Sequence, residues 1–141
     1  MRRWVWRGAV VLAIAVPVVA HVAWEAHAEL ELAIDARERG DEQAEVIHLG
    51  RALRWRIPGA SHDELAIDRL LAIGEQAESA ADDPAHVRAL AAYREIRSAL
   101  LGSRGLDVPH ADVLADVDAR IARLMHAQSL VLAVPAADAD E

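Results

Sequence analysis

The sequence predicts an all-α protein in which an N-terminal transmembrane helix is followed by about five helices. Three observations carry this expectation. Residues 8–24 hold no formally charged side chain. Beyond them alanine, leucine, glutamate and arginine dominate, with few β-branched or aromatic runs, which is helix-forming material. The apolar residues there recur at helical spacing between the turn signals Gly40-Asp41, Pro58-Gly59 and Asp82-Asp83-Pro84.

The first element is the predicted membrane anchor, residues 1–24. As a helix, its uncharged run reaches about 25 Å, against ~30 Å of bilayer hydrocarbon. Val5, Trp4 and Trp6 extend it backwards, and Arg7 can bend its charged end to the headgroups. Trp4, Trp6 and Trp24 bracket the run, where amphipathic indoles prefer to lie. Pro17 removes one backbone hydrogen bond and predicts a kink. A cleaved secretory signal is the rival reading, since the start is basic and Ala26-His27-Ala28 is a passable cleavage site. Against it, the apolar core stops well before that site, and Trp24 and Glu25 interrupt the interval.

Charge sets the expected orientation. Arg2, Arg3 and Arg7 precede the run, whereas Glu25, Glu29, Glu31 and Asp35 follow it. The positive-inside rule then predicts a cytoplasmic N-terminus in a bacterial inner membrane, with the C-terminal domain in the periplasm. The chain's formal charge is −8, but twelve arginines face 23 carboxylates beyond the anchor, a balance of −11 there. Such a domain should repel nucleic acid, so no nucleic-acid partner is expected. Every basic residue is arginine and none is lysine, which fits a GC-rich genome.

The helical domain is expected over residues 25–128. Its first helix continues the anchor to about Arg39, with Ala26, Leu30, Ala33 and Ile34 inward, and Gly40 supplies the left-handed cap. The second runs from about Glu42 to Arg56 with Val46, Leu49, Gly50, Leu53 and Ile57 on one stripe. Ser61-His62-Asp63-Glu64 reads as a capping box opening the third, which buries Ile67, Leu70, Leu71, Gly74 and Ala77. Asp83 and Pro84 fit the cap and first position of the fourth, which carries Ala89, Ala92, Tyr93, Ile96, Ala99 and Leu100 inward. Pro109 starts the fifth, with Leu114, Val117, Ile121, Leu124 and Met125 as its stripe. Residues 129–141 are expected to be a flexible acidic tail, although the apolar stretch 129–134 could extend the helix or lie in a groove.

Gly40-Asp41-x-x-Ala44, then Ala52-Leu53 and Pro58, resembles the second half of a tetratricopeptide repeat. Residues 83–100, with Ala89-Leu90-Ala91-Ala92-Tyr93-Arg94, are similar. The turns lie roughly 42 residues apart rather than the ~34 of that family, so the likeness is to TPR-like αα-hairpins and not to a standard repeat. The chain also resembles small single-pass membrane proteins of GC-rich bacteria. Arg51-Ala52-Leu53-Arg54-Trp55, Ala91 to Leu100, Pro109-His110 and Arg120 to Met125 carry that likeness, which implies no particular activity.

No catalytic constellation is readable. Ser61-His62-Asp63 has triad residue types, but adjacent residues cannot converge as a triad. The seven histidines are scattered singly, none at metal-ligand spacing, and glycines are isolated, so no metal or cofactor is expected. The candidate partner-binding surface is basic and aromatic. It comprises Arg94, Arg97 and Arg104, in line at i, i+3 and i+10 beside Tyr93, and Arg51, Arg54 and Trp55 at the end of the second helix. Arg, Tyr and Trp are enriched in interface hot spots; internal pairing with Glu75, Glu78 or Glu95 is the simpler reading of the same residues. The expected function is a non-enzymatic, membrane-tethered interaction module for a protein partner or a second copy. An accessory subunit of a larger membrane complex, held by its transmembrane helix, is the alternative.

Overall fold

A computed structural model describes residues 2–55, 62–80, 83–103 and 110–133, with side chains 2–12, 14, 83, 84 and 131–133 outside that description. The described residues form five helices and no strand: α1 (Arg2–Glu38), α2 (Glu42–Arg54), α3 (His62–Ala80), α4 (Asp83–Gly102) and α5 (Ala111–Ala133). The expected all-α class is therefore correct. The chain divides into two compact units, residues 1–68 and 69–141, with the division falling inside α3.

In the first unit α1 and α2 form an antiparallel hairpin closed by three residues, 39–41. Gly40 takes φ +72, the left-handed conformation that only glycine adopts freely. The Asp41 N–H donates to the Ala36 carbonyl (2.9 Å) and the Gly40 N–H to that of Arg37 (3.0 Å), which satisfies two end carbonyls of α1 in a Schellman motif. Asp41 then caps α2, its Oδ1 accepting from the Ala44 N–H at 3.0 Å. Asp41→Ala and Gly40→Ala should each lower stability by about 1 kcal/mol, read as a shifted urea midpoint at constant slope.

On α1 the hairpin seam is made of alanines. Ala26, Ala33 and Ala36 are buried on α1, and Val46, Leu49, Gly50, Ala52 and Leu53 on α2. Alanines let helix axes approach closely. Ile34, expected inward, is instead 55% exposed, and Ala36 takes the seam position. The reason is phase: at 100° per residue, Ala26, Ala33 and Ala36 keep to one side while Ile34 turns to the far flank. Glu45 is buried in the first turn of α2, where the helix dipole favours a carboxylate.

The N-terminal half of α1 differs. Val16, Val18, Val19 and Trp24 are all more than half exposed. Pro17 lies within α1 without ending it, its missing N–H tolerated in a helix that continues to Glu38. Among the described residues, no helix is long and apolar enough to cross a membrane. The span expected over residues 8–24 has no support from them; side chains 8–12 and 14 lie outside the description. The second helix ends at Arg54, two residues before the expected Arg56, where the Trp55 N–H turns to the Ala52 carbonyl. Ile57, Pro58-Gly59 and Ser61, hence the expected stop and capping box, lie outside the described residues.

In the second unit the remainder of α3 contributes Leu70, Ile73, Gly74 and Ala77 to the core. From α4 come Ala85, Ala89, Leu90, Ala92, Tyr93, Ile96, Ala99 and Leu100, and from α5 Leu114, Val117 and Leu124. All six residues expected inward on α4 are buried. Gly74 is where α3 meets α4: a Cβ built there would lie within 2.6 Å of Tyr93 Cζ. Met125, expected in the α5 stripe, is 50% exposed, because Leu114, Val117 and Leu124 already complete the seam. Residues 129–133, assigned to the tail, continue α5, as their apolar character allowed; residues 134–141 lie outside the description.

Candidate functional site

The expected surface residues fall into two places. In the first unit Arg51, Arg54 and Trp55 meet Glu25 and Glu29 of α1 around an open recess of about 330 Å³. They meet because α2 runs back along α1, so its last turn returns to the level of Glu25. Glu29 is mostly covered, with 16% of its side chain exposed, and a carboxylate so placed needs partners. Its Oε2 lies 2.6 Å from His48 Nδ1, and its Oε1 is 3.9 Å from Arg51 Nη1. The Trp55 carbonyl lies 3.0 Å from His62 Nε2, which holds the end of α2 to the start of α3. The recess thus presents two guanidiniums, two carboxylates and one indole.

In the second unit the sequence grouping breaks up. Tyr93 points inward with no exposed surface, whereas Arg94, the next residue and hence 100° around the helix, is exposed. Arg97 donates from Nε to Asp118 Oδ1 at 2.6 Å, with both side chains about half exposed. Arg104 lies outside the described residues. The Tyr93 ring is therefore not part of an exposed surface with Arg94 and Arg97.

Tyr93 instead meets Arg120 of α5, a residue absent from the expected surface. Arg120 Nη1 donates to the Tyr93 hydroxyl at 3.0 Å, and its guanidinium carbon stands 5.5 Å from the ring centroid. The same guanidinium lies 3.0 Å from Glu75, 2.7 Å from Asp116 and 4.0 Å from Glu78. One cation thereby joins α3, α4 and α5. Glu78 Oε1 is buried without a hydrogen-bond partner, a cost that the field of the nearby guanidinium offsets in part. The hydrogen bond to Tyr93 is the chief cause holding the Arg120 proton more firmly than usual, with Asp116 adding to it and burial opposing. The local signal was the i,i+4 pair Asp116–Arg120; the convergence of three helices on it is tertiary.

The Tyr93 hydroxyl is pushed up from 10.0 to about 12, first by burial and then by the Glu78 carboxylate, with Arg120 opposing. It stays protonated at ordinary pH and acts as a pin rather than a base. A group whose folded pKa lies above its unfolded value supports the fold while protonated. Its contribution is complete below about pH 10 and is lost as the pH rises to about 12. Tyr93 is the single tyrosine, and lysine and cysteine are absent from the sequence, so no other side chain besides arginine titrates in that window. Stability by urea unfolding should hold to about pH 10 and fall by roughly 2–3 kcal/mol by about pH 12. In Tyr93→Phe this alkaline loss should vanish.

Among the described residues, no group of three histidine, aspartate or glutamate side chains converges as a metal-ligand set. No family model, curated protein or solved structure matches this chain.

Proposed function

We propose that this chain is a membrane-tethered helical module of the bacterial envelope, its N-terminus cytoplasmic and its αα-hairpins periplasmic, which docks a protein partner or a second copy. The observation that carries the reading is the division of labour along α1. Among the described side chains its buried face begins at Ala26, while Val16, Val18 and Val19 stay exposed in the same uninterrupted helix. Leaving a valine in water forgoes roughly 1.5–3 kcal/mol relative to burial, so these three valines favour an apolar surrounding. The uncharged run over residues 8–24, the bracketing tryptophans and the three preceding arginines fit a bilayer with the N-terminus inside. The hairpins are read as TPR-like on the turn and alanine pattern, and no catalytic role is assigned. Arg94 and Arg97 on α4 are the docking candidates, the exposed Arg97–Asp118 pair being weak enough to exchange for a partner's carboxylate.

The test is an intact mass on C-terminally tagged protein from alkali-washed membranes. A full-length mass in the pellet supports the anchor; a mass beginning at Glu29 in the soluble fraction removes it. Arg97→Glu should abolish capture of a stoichiometric partner while shifting stability by less than about 1 kcal/mol. The alternative, an accessory subunit held through the helix itself, is favoured by the exposed His21 beside those valines, since polar groups in a span commonly serve helix–helix association. Replacing residues 8–24 with an unrelated apolar span should abolish association on that alternative and preserve it on the first reading.

A further inference from the structure

α2 returns along α1, which brings its last residues beside Glu25, one position past Trp24. With residues 8–24 in hydrocarbon and Trp24 at its edge, the recess lined by Glu25, Glu29, Arg51, Arg54 and Trp55 lies at headgroup depth. This inference rests on the membrane-anchored reading. We propose that the recess holds the headgroup of a zwitterionic phospholipid, with the phosphate on Arg51 and Arg54 and the ammonium towards Glu25.

Four features argue for that occupant. Trp24 and Trp55 are 74% and 37% exposed, and an indole with one wet and one apolar side is stabilised at the hydrocarbon edge. Two guanidiniums within one helical turn, Arg51 only loosely engaged with Glu29 at 3.9 Å, can share a phosphate through their several N–H donors. Among the described residues the lining carries two carboxylates as well, so their formal charges balance, as a zwitterion requires and a net anion does not. Glu29 is already turned to His48 and Arg51, which leaves Glu25 as the carboxylate placed to meet a cation. The volume of about 330 Å³ suits a headgroup and not acyl chains, which would remain in the bilayer.

The full-length chain would be reconstituted in nanodiscs holding equal phosphatidylethanolamine and phosphatidylglycerol, and released for native mass spectrometry. One retained phosphatidylethanolamine is expected, about fivefold over phosphatidylglycerol, the scale of a single exposed ionic contact. Arg54→Gln should reduce that retention. Glu25→Gln should shift the preference towards phosphatidylglycerol, because it removes both the ammonium's partner and the repulsion of an anion. A purely structural role for Glu25 would not produce this inversion, and unchanged helical melting by circular dichroism shows that both variants are folded. Equal retention of the two lipids, or a preference untouched by both substitutions, overturns the inference alone if alkali-washed membranes keep the chain. A chain released by alkali overturns the anchor, and the headgroup site with it.

Discussion

Gly74→Ala should destabilise the second unit by about 2 kcal/mol, although a glycine-to-alanine change within a helix normally stabilises by up to about 1 kcal/mol. The sign reverses because the added methyl would press into the ring of Tyr93, within 2.6 Å of Cζ. That ring has no exposed surface and its hydroxyl accepts from Arg120, so it cannot swing aside without breaking a buried polar contact. Overpacking of this kind costs roughly 1–3 kcal/mol, more than the propensity gain. Gly102→Ala is the control, since nothing lies within 4 Å of a Cβ there, and it should be neutral or slightly stabilising. Thermal melts of both variants decide the matter. Tyr93→Leu combined with Gly74→Ala should cost less than the sum of the two single changes, because the methyl then enters the space the ring vacates.

Arg120→Ala should cost about 3 kcal/mol, measured by urea unfolding. Removing one partner of a buried ion pair costs roughly 3–5 kcal/mol, and the lower end applies because Glu75 and Asp116 are half exposed and water can reach them. The variant leaves three carboxylates together without their cation, and the Tyr93 hydroxyl without its donor. Arg120→Lys should lose about half as much, because an ammonium keeps the charge but not the planar fork that reaches several acceptors at once. Added salt should recover part of the alanine variant's loss by screening the carboxylates, while leaving Gly74→Ala unchanged. An Arg120→Ala protein as stable as the parent would show that the cluster is solvated and holds nothing.

Much of the helical layout was legible because its causes are local. Gly40 and Asp41 end one helix and start the next through hydrogen bonds spanning at most five residues. The α4 stripe likewise follows from 3.6-residue periodicity, and its six expected residues are buried. Periodicity sets the phase of a stripe only to within about one residue, which is why Ile34 and Met125 fit an inward stripe by spacing and yet lie out. Alanines form the α1 seam, and small residues signal close helix approach more faintly than isoleucine signals burial.

The sites depended on contacts between residues far apart in the chain. Tyr93 and Arg120 are 27 positions apart, and Glu29 and His48 are 19 apart. No spacing rule links such residues. The sequence by itself determined the helical class, the turn at residues 40 and 41, the charge asymmetry about residues 8–24, and the residue types at the end of α2. Only tertiary structure decided that Arg51, Arg54 and Trp55 share a recess with Glu25 and Glu29, and that Tyr93 belongs to the interior rather than to a surface. The reason is physical: capping and periodicity act within a turn or two of backbone, whereas a buried charge finds its partners only when whole helices pack.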